Sequence, residues 1–401
     1  MGGAFFVMFE LRTKFIMCFV ITVVVCGFMS NGWAAKKGGR SNEIVIGQSC
    51  ALSGPNKLLG TGMRDGALLY FNDLNAKGGI NGKKIKLITY DDGYEPDRCL
   101  ANTEKLINED NVFLLFGYVG TPTSKVAVPV AVTKKVPFFG PFTGANFLRQ
   151  PLKREVFNIR ASYYQETEMM VDRLINDLGI KKISVFYQND AYGEEGLTGT
   201  RRALLKRKMS IYNEAHYERN TTDVKDAVNL FSSTNPEAVV MVGTYSACAE
   251  LVKTMRAKKS RIVFLNVSFV GADALGSILA NKGIGVIVSQ VTPFPYYVKT
   301  PIVHEYKTLL NRMMPDESPS YVSMEGYIAA KALSTILMGT PKLTRADFIA
   351  NAEKQTALDL GGFVVSFSPT SHQGSNMVNL TQIGPGGYPE RIESLRKIRD
   401  Y

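Results

Sequence analysis

The chain reads as an α/β protein of two lobes, each a parallel sheet covered by helices on both faces, joined by a hinge of three segments. Three observations predict this. Short apolar runs alternate with helical periods, the alternation occurs twice, and the strand-like runs are apolar throughout rather than on one side only. The 401 residues also exceed what a single hydrophobic core holds.

In the first copy the strands are Glu43 to Gly47 (EIVIG), Lys84 to Tyr90 (KIKLITY), Val112 to Gly117 (VFLLFG), Val136 to Gly140 (VPFFG) and Val156 to Arg160 (VFNIR). Helical stretches separate the early ones; Met63, Ala67, Tyr70, Phe71 and Leu74 mark one face of such a stretch. The second copy runs Lys182 to Tyr187, Ser210 to Tyr217, Ala238 to Gly243, Arg261 to Val267 and Gly285 to Val291. Beyond it, helical periods cover Pro301 to Met314 and Tyr321 to Met338, and Gly361 to Ser368 (GGFVVSFS) alternates like a strand. Arg160 to Tyr163 and Pro293 to Pro295 read as crossovers between lobes, and a third crossing is expected near Leu343 to Gly361.

Residues 1–34 read as an export signal: Arg12 and Lys14 precede an apolar run from Phe15 to Phe28, and Gly32-Trp33-Ala34 offers small residues at a cleavage site. Val25 before Cys26 and Met17 before Cys18 disfavour lipidation. The remaining chain is expected in the periplasm. Formal net charge is +11, and removing the signal takes away Glu10, Arg12 and Lys14, lowering it by one. Because the bases are scattered among acids, a solvated surface explains the charge better than nucleic-acid binding does. Three histidines (His216, His304, His372) lie far apart and no C-x-x-C pair occurs, so neither a metal site nor a cofactor is expected. Cys50 and Cys99 follow neighbouring strands of the first copy. A disulfide between them is expected, with two buried thiols as the alternative.

In open parallel sheets, ligands sit beyond the carboxyl ends of the strands. In the first copy those turns are rich in hydroxyls and glycine: Gly117 to Ser124 (GYVGTPTS) and Pro141 to Ala145 (PFTGA). Thr121 opens a helix and, with Thr143 and Gly144 beside Phe142, offers hydroxyl and main-chain donors to a carboxylate without any positive side chain. The second copy supplies Tyr192 and Tyr245, rings with hydrogen-bonding tips suited to closing over a guest. Hydrolysis lacks a base: Gly47-Gln48-Ser49-Cys50-Ala51 only approximates a nucleophile elbow, and no histidine lies in a strand-end turn. A phosphate loop of the G-x-x-x-x-G-K-[ST] type is absent.

The segments IGQSCALSGPNKLLGTG, LFGYVGTPTS, GPFTGA, FYQNDAYGEEGL and VGTYS, in that order, resemble the periplasmic solute-binding proteins of the leucine/isoleucine/valine-binding type, partners of ABC importers. The similarity covers nearly all of 43–385. It implies the type I periplasmic binding protein fold: two Rossmann-like lobes, 43–160 with 292–345 and 161–291 with 346–401, closing on a solute. It also implies a monomer that is not an enzyme, hands its ligand to permease transmembrane subunits, and binds through Thr121, Phe142, Thr143, Gly144, Tyr192 and Tyr245, with Ser53 in the family's Ser-Gly-Pro turn. One position departs. Amino-acid binders carry an acid for the ligand ammonium where this chain has Ser268, which is expected among the ligand-binding residues all the same. Either Asp190 or Glu325 replaces that acid, or the ligand has no ammonium group. A ligand-sensing module for a membrane kinase or chemoreceptor is the alternative role.

Overall fold

The computed structural model describes residues 42–398, so the expected signal at 1–34 lies outside the described residues. Strands β1 (Glu43–Cys50), β2 (Lys84–Asp91), β3 (Leu114–Phe116), β4 (Phe138–Phe139) and β5 (Val156–Phe157) form one parallel sheet in the order β2-β1-β3-β4-β5. Helices α1 (Lys57–Ala76), α2 (Pro96–Asn108) and α3 (Thr121–Thr133) connect them. The order runs outward in both directions from β1. The turns after β1 and β3 therefore lie side by side at the switch point, with the turn after β4 next to them.

At Arg160–Ser162 the chain passes to the second lobe and enters α4 (Tyr163–Leu178). Ser162 accepts from Gln165 N–H at 3.3 Å while its own N–H donates to Gln165 Oε1 at 2.8 Å, a capping box that fixes the helix start. Gly179 ends the helix at φ +68°, a conformation glycine takes without strain. The second lobe continues through β6 (Ile183–Gln188), α5 (Ala191–Leu205), β7 (Glu214–Tyr217), α6 (Lys225–Thr234), β8 (Ala238–Val242), α7 (Tyr245–Ala257), β9 (Val263–Asn266), α8 (Ala272–Leu279) and β10 (Ile287–Gln290). These strands are parallel, and β8 is buried along its whole length, as a two-sided sheet requires.

The chain then returns to the first lobe with α9 (Pro301–Met313), α10 (Tyr321–Met338) and α11 (Arg345–Ala352). Helices α1 and α10 pack at backbone contact. A Cβ on Gly66 would sit 1.9 Å from the Ser323 carbonyl oxygen, and one on Gly326 would sit 2.2 Å from that of Met63. The glycines are spacing residues here, not turn formers.

The structure corrects the expected end of the chain. Residues 345–374 remain on the first lobe: Arg345 donates to the Phe113 and Val112 carbonyls at 2.9 Å each, and Asn158 exchanges backbone bonds with His372 and Gly374 at 2.9 and 2.6 Å. Phe348 and Phe367 pack on Phe139 and Phe157. The third crossing therefore follows Gly374 instead of lying near Leu343 to Gly361, and the second lobe does not regain the chain at 346. The GGFVVSFS stretch contributes only β12 (Val364–Val365), paired with β11 (Leu358–Asp359) in a small ribbon. Asp359 accepts from both Gly361 and Gly362 N–H and turns the chain there. The segment that does extend the second sheet is the antiparallel hairpin β13 (Asn379–Ile383) and β14 (Pro389–Ile392), giving the order β14-β13-β10-β9-β8-β6-β7.

The expected Cys50–Cys99 disulfide is absent. Both are buried free thiols, Cys50 turned to the Gly60 carbonyl on α1 at 3.7 Å and Cys99 to that of Thr123 on α3 at 3.6 Å. Neighbouring strands bring the two segments close, but the side chains serve different helices.

Two outcomes follow from this packing. Gly66→Ala gains up to about 1 kcal/mol of helix propensity, yet overpacking against Ser323 costs more, and a net loss of about 1–2 kcal/mol is expected in urea unfolding. Alkylation of the denatured protein should label Cys50, Cys99 and Cys248 alike with and without prior reductant; a gain of two labelled thiols on reduction contradicts this arrangement.

Candidate functional site

The strand-end turns of both lobes meet. Thr121, the first residue of α3, shares a 2.6 Å hydrogen bond between its hydroxyl and that of Thr143, which follows β4. Both are fully buried. Thr143 Oγ1 also accepts from Ala145 N–H at 3.3 Å. Two hydroxyls sharing one bond keep one O–H free to donate elsewhere. Gly120, just before Thr121, has φ +107° and lies so near the Tyr94 ring that a Cβ would be 2.3 Å from it, so this turn needs glycine. Gly144 accepts from Tyr163 N–H at 2.8 Å and thereby ties this turn to α4.

From the second lobe, Phe269 occupies the meeting point. Its ring centroid lies 5.3 Å from Phe142, 6.0 Å from Tyr94 and 4.7 Å from Tyr192. Tyr192 is fully buried, donates to the Gly243 carbonyl at 3.2 Å and lies 5.4 Å from Tyr163. The expected residues Thr121, Phe142, Thr143, Gly144, Tyr192 and Ser268 thus lie at or beside the point where Phe269 packs. Tyr245 belongs to the seam instead: its hydroxyl oxygen accepts from Leu58 N–H across the lobes at 3.4 Å. Ser53 stands apart. It is exposed, and its hydroxyl donates to Asp91 at 2.5 Å to lock the turn after β1.

The two acids considered for an ammonium are already matched. Asp190 caps α5 by accepting from Tyr192 N–H at 2.9 Å and pairs with Arg219 at 3.3 Å. Burial raises its pKa all the same. Glu325 on α10 lies 3.6 Å from Arg160 Nε. Burial pushes Glu325 up to about 7 against the opposing pull of Arg160.

Arg160 and Glu166 were not among the expected site residues. Arg160 follows β5 at the first crossing and is 1% exposed. Its Nη2 donates to Ser268 Oγ and lies 3.6 Å from Glu166 Oε1, and its guanidinium carbon lies 4.8 Å from the Phe142 ring centre and 5.9 Å from that of Tyr163. Nε and Nη1 have no hydrogen-bond acceptor. Glu166 uses its other oxygen, accepting from Ser268 N–H at 2.7 Å and from the Ser289 hydroxyl at 2.5 Å. Arg149 braces the crossing from below, donating to the carbonyls of Ala145 at 2.8 Å and Arg160 at 2.9 Å. The sequence did hold a signal. Glu166 shares the buried face of α4 with Tyr163, Met170, Val171 and Leu174, so a carboxylate stands at a core position of the helical period and demands a cation.

A cavity of about 880 Å³ lies elsewhere, at the mouth of the seam, lined by Leu58, Asp65, Asp273, Tyr306, Ser320 and Tyr388 among others. It reaches Leu52 in the turn after β1 but none of Thr121, Phe142, Thr143, Tyr192 or Phe269. The buried groups lacking acceptors or donors around Arg160 make the strand-end meeting point the better candidate.

Asp92, in the turn after β2, is fully buried; burial, with Asp91 beside it, raises its pKa to about 6 although Ser49 and Tyr94 N–H donate to it at 2.8 Å each. Asp91 goes the other way: burial opposes, but bonds from Ser53, Leu52, Gly93 and Arg98 hold it well below the carboxylate range.

Known proteins place this architecture. A family model described as periplasmic binding protein matches residues 43–388. The chain is 22% identical over 327 residues to the leucine-specific-binding protein of Salmonella typhimurium, covering 81% of this chain and 86% of that one. It is 28% identical over 238 residues to an amino acid binding protein of Pseudomonas aeruginosa, a match spanning 59% of this chain and 63% of the relative. A crystal structure of a possible leucine/isoleucine/valine-binding protein from Rhodopirellula baltica superposes with TM-score 0.84 at 37% identity, covering 89% of this chain and 98% of the other.

Because the folded pKa of Asp92 exceeds its ordinary value near 3.8, its burial penalty is absent at low pH and grows as pH rises toward the folded pKa. Asp92→Asn should therefore gain on the wild-type protein between about pH 4 and 6.5, by up to about 3 kcal/mol, and hold that margin above, as urea unfolding across pH reads out. A match across 346 residues, joined to two parallel-sheet lobes meeting at their strand ends, makes this chain a member of the periplasmic binding protein family.

Proposed function

We propose that the chain is the periplasmic solute receptor of an ABC importer, a monomer that closes its lobes on a small carboxylate-bearing molecule, delivers it to the permease subunits and catalyses nothing. The class covers branched-chain and other hydrophobic amino acids and related aromatic acids or amides. The observation that carries this reading is the enclosure of buried hydroxyls of one lobe, Thr121 and Thr143, by buried rings of the other, Tyr192 and Phe269.

The seam supports a closing motion. It is polar: Asn56 donates to Asn220 at 2.7 Å, Asn220 to Glu95 at 2.6 Å, Arg219 pairs with Glu95 at 3.0 Å, and Tyr321 N–H donates to Asp273 at 3.0 Å. Such bonds return about 1 kcal/mol each when they replace bonds to water, so these contacts add little to the cost of opening. A solute that touches both lobes then decides which form is populated. To be admitted it must displace the Phe269 ring from its stack with Phe142 and Tyr192.

A thermal-shift screen over amino acids, amides and aromatic acids identifies ligands, since a molecule selective for the folded state raises the melting point. Against the best of them, Thr121→Val and Tyr192→Ala are each expected to weaken binding at least tenfold, about 1.4 kcal/mol, by calorimetry. Unaltered affinity in both variants removes this site.

A further inference from the structure

We propose that Arg160 is the anion receptor of the cleft, so that the solute class is a monoanionic acid with an aromatic or branched apolar body and no required ammonium group. This inference rests on the solute-receptor reading and adds the group that chooses the ligand.

Four observations converge on it. Arg160 is enclosed at the junction of both lobes, yet Nε and Nη1 have no acceptor. Its acidic neighbours do not close that gap, for Glu166 Oε1 and Glu325 Oε1 each stand 3.6 Å away, within ion-pair range but beyond a good hydrogen bond. Leaving buried guanidinium N–H groups without a hydrogen-bond acceptor is costly, and a planar carboxylate is the acceptor whose geometry matches a guanidinium. The surroundings then define the rest of the molecule: Phe142, Tyr163, Tyr192 and Phe269 make an apolar, aromatic wall beside the cation. Last, the acids nearest this point already face cations, Asp190 facing Arg219 and both glutamates facing Arg160.

Calorimetry on the full mature chain with six probes tests this: phenylacetate, phenylacetamide and phenylalanine, and 4-methylpentanoate, 4-methylpentanamide and leucine. Each acid should bind at least tenfold tighter than its amide and no weaker than its amino acid. Arg160→Gln should bring acid and amide within about threefold of each other, and Arg160→Lys should restore part of the preference. A general loss of packing lowers both affinities and leaves their ratio in place. Should Arg160→Gln fail to fold, Ser268→Asp takes its place, setting a competing carboxylate against the guanidinium; it should weaken the acid and spare the amide. An acid-to-amide ratio near one in the wild-type protein, or an unchanged ratio in the variants, overturns the role of Arg160 while solute binding stands. Binding of leucine or phenylalanine at least tenfold tighter than the matching acid overturns it likewise. If none of the six probes binds, this inference and the receptor reading for hydrophobic acids and amides both fall.

Discussion

A single buried guanidinium governs how the two lobes meet. Arg160 sits where the chain first leaves one lobe for the other, with Glu166 on the first helix of the second lobe and Glu325 on α10 of the first. Removing Arg160 leaves two carboxylates uncompensated with no access to water, and such a change typically costs several kcal/mol. An apolar trio of equal volume would hold the hinge at least as well. Stability alone therefore does not account for the cluster. Its geometry does more than pair charges, because Glu166 also receives Ser268 N–H and the Ser289 hydroxyl and so fixes the turn after β9 against α4.

Around this point the two lobes are built differently. The first presents small donors held by tight backbone: Gly120 at positive φ under the Tyr94 ring, Thr121 and Thr143 sharing one bond. The second presents rings, of which Phe269 touches three others. Rigid donors on one side and an apolar cover on the other divide orientation from burial. The polar seam outside them, with Asn220 and Arg219 both bonded to Glu95, sets the lobes in register without the apolar area that would weld them shut.

Much of this was legible in the sequence because parallel strands buried on both faces read as continuous apolar runs, and β1, β3 to β6 and β8 to β10 are such runs. The hairpin β13–β14 was not, since NLTQI and PERI carry polar residues toward a sheet edge and resemble loop. The third crossing was placed too early because α11 and the ribbon after it dock through Phe348, Phe367 and Arg345, contacts that depend on distant partners and leave no local pattern. The hydroxyl turns and Tyr192 stood out by composition. Arg160 did not, as a lone base at the end of VFNIR looks like a strand's solvated terminus until Glu166 and Glu325 are brought to it. The cysteines failed for the opposite reason: adjacency of the strands they follow was read as side-chain adjacency, whereas Cys50 faces a carbonyl of α1 and Cys99 one of α3.

The absence of an acid at Ser268 takes on a different meaning once Arg160 is seen bonded to that serine. A positive group on a ligand about 5 Å from the guanidinium would meet a repulsion of roughly 3 kcal/mol at an effective dielectric constant near 20. Glu166 and Glu325 counter it and Arg149 counters them in turn, while Glu325, raised to about 7 by burial, is partly neutral at physiological pH. Arg160 and Arg149 against Glu166 and Glu325 sum to zero, so protonation of that one carboxyl leaves the cluster with a single positive charge. The local balance therefore favours a guest that brings a negative charge and leaves its other end apolar, which is also what the rings of Phe142, Tyr192 and Phe269 are shaped to cover.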